Sequence, residues 1–403
     1  MDQFNFAKPF LSETHAYLGK GYELNARGEH EEATKFFFQI VSSDPLNWRG
    51  WHNLGICLNH CNYVQEAVFA CNQALKIDPN LQFVRAHIGL MHLKMGDYQK
   101  GFELYESRLK MQNPTVIVPD SRRLATNIDH LNGKQVLVFA EQGWGDLFQF
   151  IRFIKIVQQR AAKVSLFVCQ SIHDLTRLSF PNLELISHLT ESELLEFDVY
   201  LPLMSIPKLL NIGLSSIPFS TNYLVADSFK VKSIRRKLSA DRFKIGLCCQ
   251  GSNAKYDQGR SMDFELLIKT LNEVEGTQII PLMPDAPIKI KKSSHLLDLS
   301  DEILKDKDRF MTTAAIIKNC DLIITTDTAV AHLAGALGQP TWILLKTDAD
   351  WRWLMNRSDS PWYPSARLFR QTERYDWAGV LNNLVSNLMD VTARYFHARK
   401  SKH

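Results

Sequence analysis

Glycine recurs every 34 residues near the start of this chain, at Gly21, Gly55 and Gly89. Pro45 and Pro79 share that spacing, as do Ala33 and Ala67. A fixed period of this length marks stacked supersecondary units. Each unit reads as a helix pair. The small residues fall where two helices cross closely, and the proline ends the second helix. NARGEHEEA, NHCNYVQEA and LKMGDYQKG supply the turn regions. One pair cannot bury its own apolar face, so the units must stack. The third unit is degraded, with Gly101 where alanine is expected and Pro114 one residue late.

Residues 1–115 are therefore expected to form an α-helical array of three tetratricopeptide repeats. Three units make a short curved surface. It suits an extended polypeptide, or it docks a partner, a second copy of the chain, or the chain's own remaining half. One helix cannot turn Phe36, Phe37 and Phe38 to the same side. Residues 116–132, with Pro119 and scattered polar residues, read as a linker.

From Gly133 onward the pattern changes to strand–helix alternation, which predicts parallel sheets in two Rossmann-like lobes, 133–240 and 241–403. Gln135 to Ala140 is a strand. Glu141, Gln142, Gly143, Trp144, Gly145 and Asp146 turn it into a helix reaching to about Arg160. Later strands fall at Val164 to Cys169, Leu183 to Ile186 and Phe197 to Leu201. The second lobe restarts at Phe243 to Gln250. A polar loop, Gly251 to Ser261, carries Asn253, Lys255 and Arg260. A final amphipathic helix is predicted from Asp376.

The most informative stretch of the second lobe is DLIITTDTAVAHLAGALGQPTWILL, Asp321 to Leu345. It reads as strand, helix, strand, with Asp327 capping a helix from about Thr328 to Leu337. Ligands bind such units at the carboxyl ends of strands, beside helix N-termini. Thr326, Asp327, Thr328 and His332 fall near that end. Asp327 and Thr328 otherwise serve as caps, and His332 as a packing residue. In the first lobe, Glu141 and Asp146 put carboxylates at the end of the first strand, with Asp146 also a natural helix cap. The glycines of EQGWGD permit close backbone approach to a ligand. A nicotinamide fingerprint requires a third glycine that this turn lacks.

Composition narrows the partners. The net charge is +4, from 47 basic and 43 acidic residues, which is too balanced to argue for nucleic acid or an anionic membrane. The tract DWRWLMNRSDSPWYPSARLFRQ interleaves arginines with Trp351, Trp353, Trp362 and Tyr363. It reads as aromatic packing beside a cleft. Seven cysteines show no metal-binding spacing and fit a reducing compartment, hence the cytoplasm. No secretory signal opens the chain, and no apolar run is long enough to span a bilayer.

Together these motifs resemble glycosyltransferase family 9, the ADP-heptose-type bacterial transferases, in the branch with N-terminal tetratricopeptide repeats. The matching pieces are VLVFAEQGWGD, ending at Asp146, the run Asp327–Thr328–Ala329–Val330–Ala331–His332, and the aromatic tract. The resemblance implies a GT-B fold, with donor mainly in the second lobe and acceptor in the first. It implies metal-independent, inverting transfer of a sugar, heptose among the candidates, from a nucleotide-diphosphate donor, with no cofactor. Asp146 would be the base. Lys255 or Arg260, with Thr326, Asp327, Thr328, Ala329 and His332, would hold the donor. Glu141, Gln142, Gly143 and Trp353 are candidates for the acceptor side or cleft lining. Many heptosyltransferases have glycine where this chain has Ala329. The acceptor is open between a polypeptide held by the repeats and a lipid-linked saccharide or lipopolysaccharide core. So is an inactive scaffold that only binds a partner or nucleotide.

Overall fold

The computed structural model describes residues 7–114, 117–251, 259–283 and 295–401. Two compact units divide the chain: Met1–Thr115 with Asp348–Met355, and Val116–Thr347 with Asn356–His403.

The first unit is three helix pairs: α1 (Ala7–Ala26) with α2 (His30–Ser43), α3 (Trp48–His60) with α4 (Val64–Ile77), and α5 (Gln82–Lys94) with α6 (Tyr98–Tyr105). The periodic glycines explain themselves here. A Cβ on Gly55 would lie 2.5 Å from Cys71 Sγ, and one on Gly89 would lie 2.7 Å from the Tyr105 backbone nitrogen. Only hydrogen leaves room for the paired helix at those crossings. Ala33 and Ala67 are fully buried on the facing helices. Phe37 is fully buried, whereas Phe38 is 61% exposed, as helical geometry requires.

The short segment Asp348–Met355 packs within this unit. Asp348 is buried, accepting from Lys94 Nζ at 3.0 Å and lying 2.6 Å from His60 Nδ1. Trp351 stands edge-on to Tyr98 and Phe102.

The second unit holds two parallel sheets. The first runs β3 (Glu184–Ile186), β2 (Lys163–Phe167), β1 (Gln135–Phe139), β4 (Val199–Pro202). The second runs β6 (Thr277–Pro281), β5 (Phe243–Cys248), β7 (Leu322–Thr326), β8 (Thr341–Leu345), β9 (Ala366–Arg370). Strands β6, β7 and β8 are buried at every position, which is why their sequences show no polar-apolar alternation. The fold is thus a tetratricopeptide array followed by GT-B-like α/β lobes. The helix expected to reach Arg160 is in fact broken: α7 (Trp144–Phe150) passes through a tight turn at Ile151–Phe153 into Ile154–Gln158. The closing helix, Trp377–Lys400, is capped by Asp376, whose carboxylate accepts from Gly379 N.

The two lobes meet through aromatic and polar contacts. Phe310 packs edge-on against both Trp144 and Phe148. Asp308 is buried and caps the helix Arg309–Ile317, while its second oxygen accepts from Leu175 N in the first lobe. Burial raises its carboxyl above the usual range.

Candidate active site

The EQGWGD turn leads from β1 into α7. Glu141 is buried, and its Oε1 accepts from Met204 N at 3.0 Å, tying the end of β1 to the turn after β4. Gln142 is exposed in the left-handed region, with φ of 58°. Gly143 is exposed and donates its N–H to Asp146 Oδ2 at 2.9 Å. Asp146, half-exposed on the third position of α7, therefore closes the turn with one carboxylate oxygen. Its capping role is real.

In the second lobe, β5 and β7 are neighbours, with Cys248 paired to Thr325. Their carboxyl ends gather the donor-side candidates. The helix after β7 runs Ala329–Ala336, with Thr328 rather than Asp327 at its N-cap. Thr328 makes no side-chain cap. Its hydroxyl turns back to Thr325 Oγ1 at 3.0 Å and Cys248 Sγ at 3.5 Å, so the first-turn N–H groups are not capped by it. Thr326 is fully buried, and its hydroxyl has no hydrogen-bond partner among the described residues. Asp327 and Ala329 are half-exposed. Arg260 lies on the backbone just past β5: a Cβ on Gly251 would come within 2.7 Å of its Nη2. Lys255 lies outside the described residues.

His332 is buried one turn along this helix, and its Nδ1 lies 2.9 Å from Tyr363 Oη. Gly145 on α7 faces it. A Cβ at position 145 would lie 2.8 Å from His332 Cδ2 and 3.7 Å from Ala329 Cα. The first turn of α7, with Asp146, therefore abuts the first turn of the helix Ala329–Ala336. Gly145, next to Asp146, is brought against Ala329 and His332, and Thr328 and Arg260 follow the neighbouring strand ends. Trp353, a candidate for the cleft lining, belongs to the other unit. It is fully buried in the segment that packs with the repeats. A surface cavity of about 420 Å³, lined by Leu224, Val231, Lys318 and Leu337, sits at the opposite end of the same helix.

Beneath these groups lies a buried cation not foreseen from the sequence. Arg152 is fully buried and donates to Gln149 O, Trp362 O and Tyr223 Oη at 2.8 to 2.9 Å. The rings of Tyr223, Tyr363 and Trp362 surround its guanidinium at 4.6, 4.9 and 5.3 Å. Its three hydrogen-bond acceptors are two carbonyls and a phenol, and no carboxylate is among them. A lone arginine in the apolar run FQFIRFI was the available signal, because a charge there is buried only with dedicated partners.

Residues 263–372 match the family model for glycosyltransferase family 9 (heptosyltransferase), and residues 49–81 match a tetratricopeptide repeat. A family 9 domain and a tetratricopeptide region are both present in this chain. Protein FlbA of Caulobacter vibrioides is 23% identical over 398 residues, covering 91% of this chain and 65% of FlbA. Anaphase-promoting complex subunit 3 of Schizosaccharomyces pombe is 25% identical over 97 residues, 24% of this chain and 15% of that protein. The chain thus spans less than two thirds of these curated relatives. Among solved structures, the Sgt2 tetratricopeptide domain from Aspergillus fumigatus is 23% identical, covering 24% of this chain and 65% of that one, with a TM-score of 0.24. The matched family 9 region includes β7, the helix with His332, and Tyr363.

The family 9 domain supports glycosyltransferase activity in general, and the repeats a protein-interaction role. No cluster of three or more metal-ligating side chains occurs among the described residues. No described helix is long and apolar enough to cross a membrane. None of the seven cysteines is in a disulfide among the described residues.

Proposed function

We propose that this chain transfers a sugar from a nucleotide-diphosphate donor to an acceptor hydroxyl, with inversion and without a metal. The acceptor oxygen attacks the anomeric carbon as the bond from that carbon to the diphosphate oxygen breaks. The hydroxyl proton passes to Asp146, and the diphosphate leaves with the bonding electron pair. Negative charge grows on the leaving group. The first-turn N–H groups of Ala329–Ala336 and a basic side chain, Arg260 or Lys255, suit it in place of a metal. Heptose is the first sugar to test, given the family. The observation that carries this reading is the abutment of Gly145 on Ala329 and His332, because it puts the turn that bears Asp146 close to the start of a helix whose N-cap side chain, Thr328, makes no cap.

For the acceptor, we favour a polypeptide held extended by the repeats, because a two-lobe transferase does not itself need stacked helix pairs. The competing acceptor is a lipid-linked saccharide. Free cysteines and a nucleotide-sugar donor fit a cytoplasmic reaction. A screen of nucleotide sugars by binding and hydrolysis tests the donor side. Binding of none, with tight capture of a protein partner, would instead favour a scaffold.

A further inference from the structure

We infer that the cavity beside the connection between the two lobes is a binding site for a small organic anion with an apolar tail. The connection is the stretch between β4 and β5. Its residues Leu224 to Ala226 line the cavity together with one face of the helix Ser228–Arg235 and the end of the helix Ala329–Ala336. The cavity measures about 420 Å³, within the range of about 300–1,000 Å³ usual for small-molecule pockets. Its apolar wall is made by Leu224 and Leu337, both buried, and half-buried Val231.

The charge lining it has one sign. Lys232, Arg235 and Lys318 stand around the cavity, and no carboxylate lines it among the described residues. Ser228, Val231, Lys232 and Arg235 recur at helical spacing, so a single helix face supplies apolar wall and two of the cations. All three cations are exposed. On and just past the same helix, Lys230 is paired with Asp306 and Lys237 with Glu302. Lys232 and Arg235 have no such carboxylate among the described residues. Asn319 Oδ1 accepts from Arg235 Nε at 3.2 Å, which steadies the guanidinium while neither Nη group has a protein partner there. Lys318 Nζ reaches only the Leu337 carbonyl oxygen, at 3.5 Å. Like charges one helical turn apart repel each other. An anion held by these groups offsets that repulsion, and its tail covers Leu224, Val231 and Leu337.

The position gives the ligand something to act on. Tyr223 N and Leu224 N donate to Ala336 O at 3.1 and 3.4 Å, in the second lobe. Val225 N donates to Ser179 Oγ at 2.9 Å, at the end of the helix His173–Ser179 in the first. The connection is thus held by both lobes within three residues. A ligand seated on Leu224 and Leu337 braces it there. This binding does not depend on the sugar-transfer reading.

Calorimetry of the full chain with decanoate, kept below its micelle-forming concentration, tests the site. Acetate carries the charge without the tail, and decyltrimethylammonium the tail with the opposite charge. Decanoate should bind one to one, acetate about tenfold more weakly or worse, and the cation not measurably. The double change Lys232→Glu with Arg235→Glu alters two exposed side chains, so the fold should hold. It should weaken decanoate binding by about tenfold or more. Val231→Trp fills the apolar wall and should block binding. If that variant fails to fold, the charge-reversed one still decides. Hydrogen exchange at Leu224 and Val225 should slow when decanoate binds. Lack of saturable decanoate binding overturns the inference, as does equal binding of decyltrimethylammonium. Decanoate affinity unchanged in the charge-reversed protein, or exchange unaltered at Leu224 and Val225, overturns it as well.

Discussion

Gly145 lies so close to His332 that a methyl group on it would stand 2.8 Å from the imidazole Cδ2. The glycine is needed for the crossing of two helices and not for a turn. Gly145→Ala should push α7 away from the helix Ala329–Ala336 and separate Asp146 from the donor side. We expect a loss of about 1–3 kcal/mol in stability from overpacking, and a larger proportional loss of transfer. Denaturant unfolding and sugar-transfer rates measure the two. Full activity in a stable Gly145→Ala protein would contradict a role for this crossing.

Asp146→Asn separates the capping role from the basic one. An amide oxygen can still accept from Gly143 N, so the turn should survive. It cannot take a proton at neutral pH. Turnover should fall by about 10²- to 10⁴-fold while donor affinity holds. Calorimetry with the donor and a transfer assay give both values. Equal turnover would remove Asp146 as the base.

Arg260 and Lys255 are the two candidates proposed for the donor phosphates. The packing of Arg260 on Gly251 fixes its guanidinium beside the end of β5. We therefore expect Arg260→Gln to weaken donor binding by about tenfold or more, consistent with a charge-assisted hydrogen bond of about 1.5–3 kcal/mol. Lys255→Gln should do little. The reverse order of effects in a binding titration would assign the phosphate to Lys255.

The buried pair of Asp348 and Lys94 makes a stability prediction for the repeat unit. Both are under a tenth exposed. Asp348→Ala strands the ammonium, and breaking such a pair from one side costs about 3–5 kcal/mol. His60 would lose its carboxylate partner as well. Hydrogen exchange of α3 and α5 reads this locally. Unaltered protection would show that the segment 348–355 contributes little.

Acid should weaken the same unit. His52 Nε2 stands 3.0 Å from His87 Nδ1, and burial with the neighbouring ring pushes His52 down to about 3. His87 is lowered too, chiefly by burial. An unfolded histidine binds its proton near about pH 6.5. Between that value and about 3 the unfolded chain holds a proton that native His52 does not, so stability falls as pH drops through this window. His52→Gln should flatten that part of the pH–stability curve. An unchanged slope would place the acid sensitivity elsewhere.

The helix pairs and the strand–helix alternation were legible in the sequence because both are local. Helical and extended periodicity, the glycines at helix crossings, and the carboxylates after β1 and β7 act over a few turns of chain. The run from Thr326 to His332 could be singled out as a candidate for the same reason. Nothing local could reveal that Thr328 would bond Cys248 instead of capping its helix, or that Trp353 would be buried with the repeats. Nor could it connect Arg152 to Trp362, 210 positions away. A buried guanidinium is tolerable only where several distant carbonyls, hydroxyls and rings converge on it, and that convergence exists only in the folded chain. The sequence by itself determined which elements form and which residues lie at their ends. The tertiary structure decided which of those ends face each other, and it gathered Gln149, Tyr223 and Trp362 around the guanidinium of Arg152.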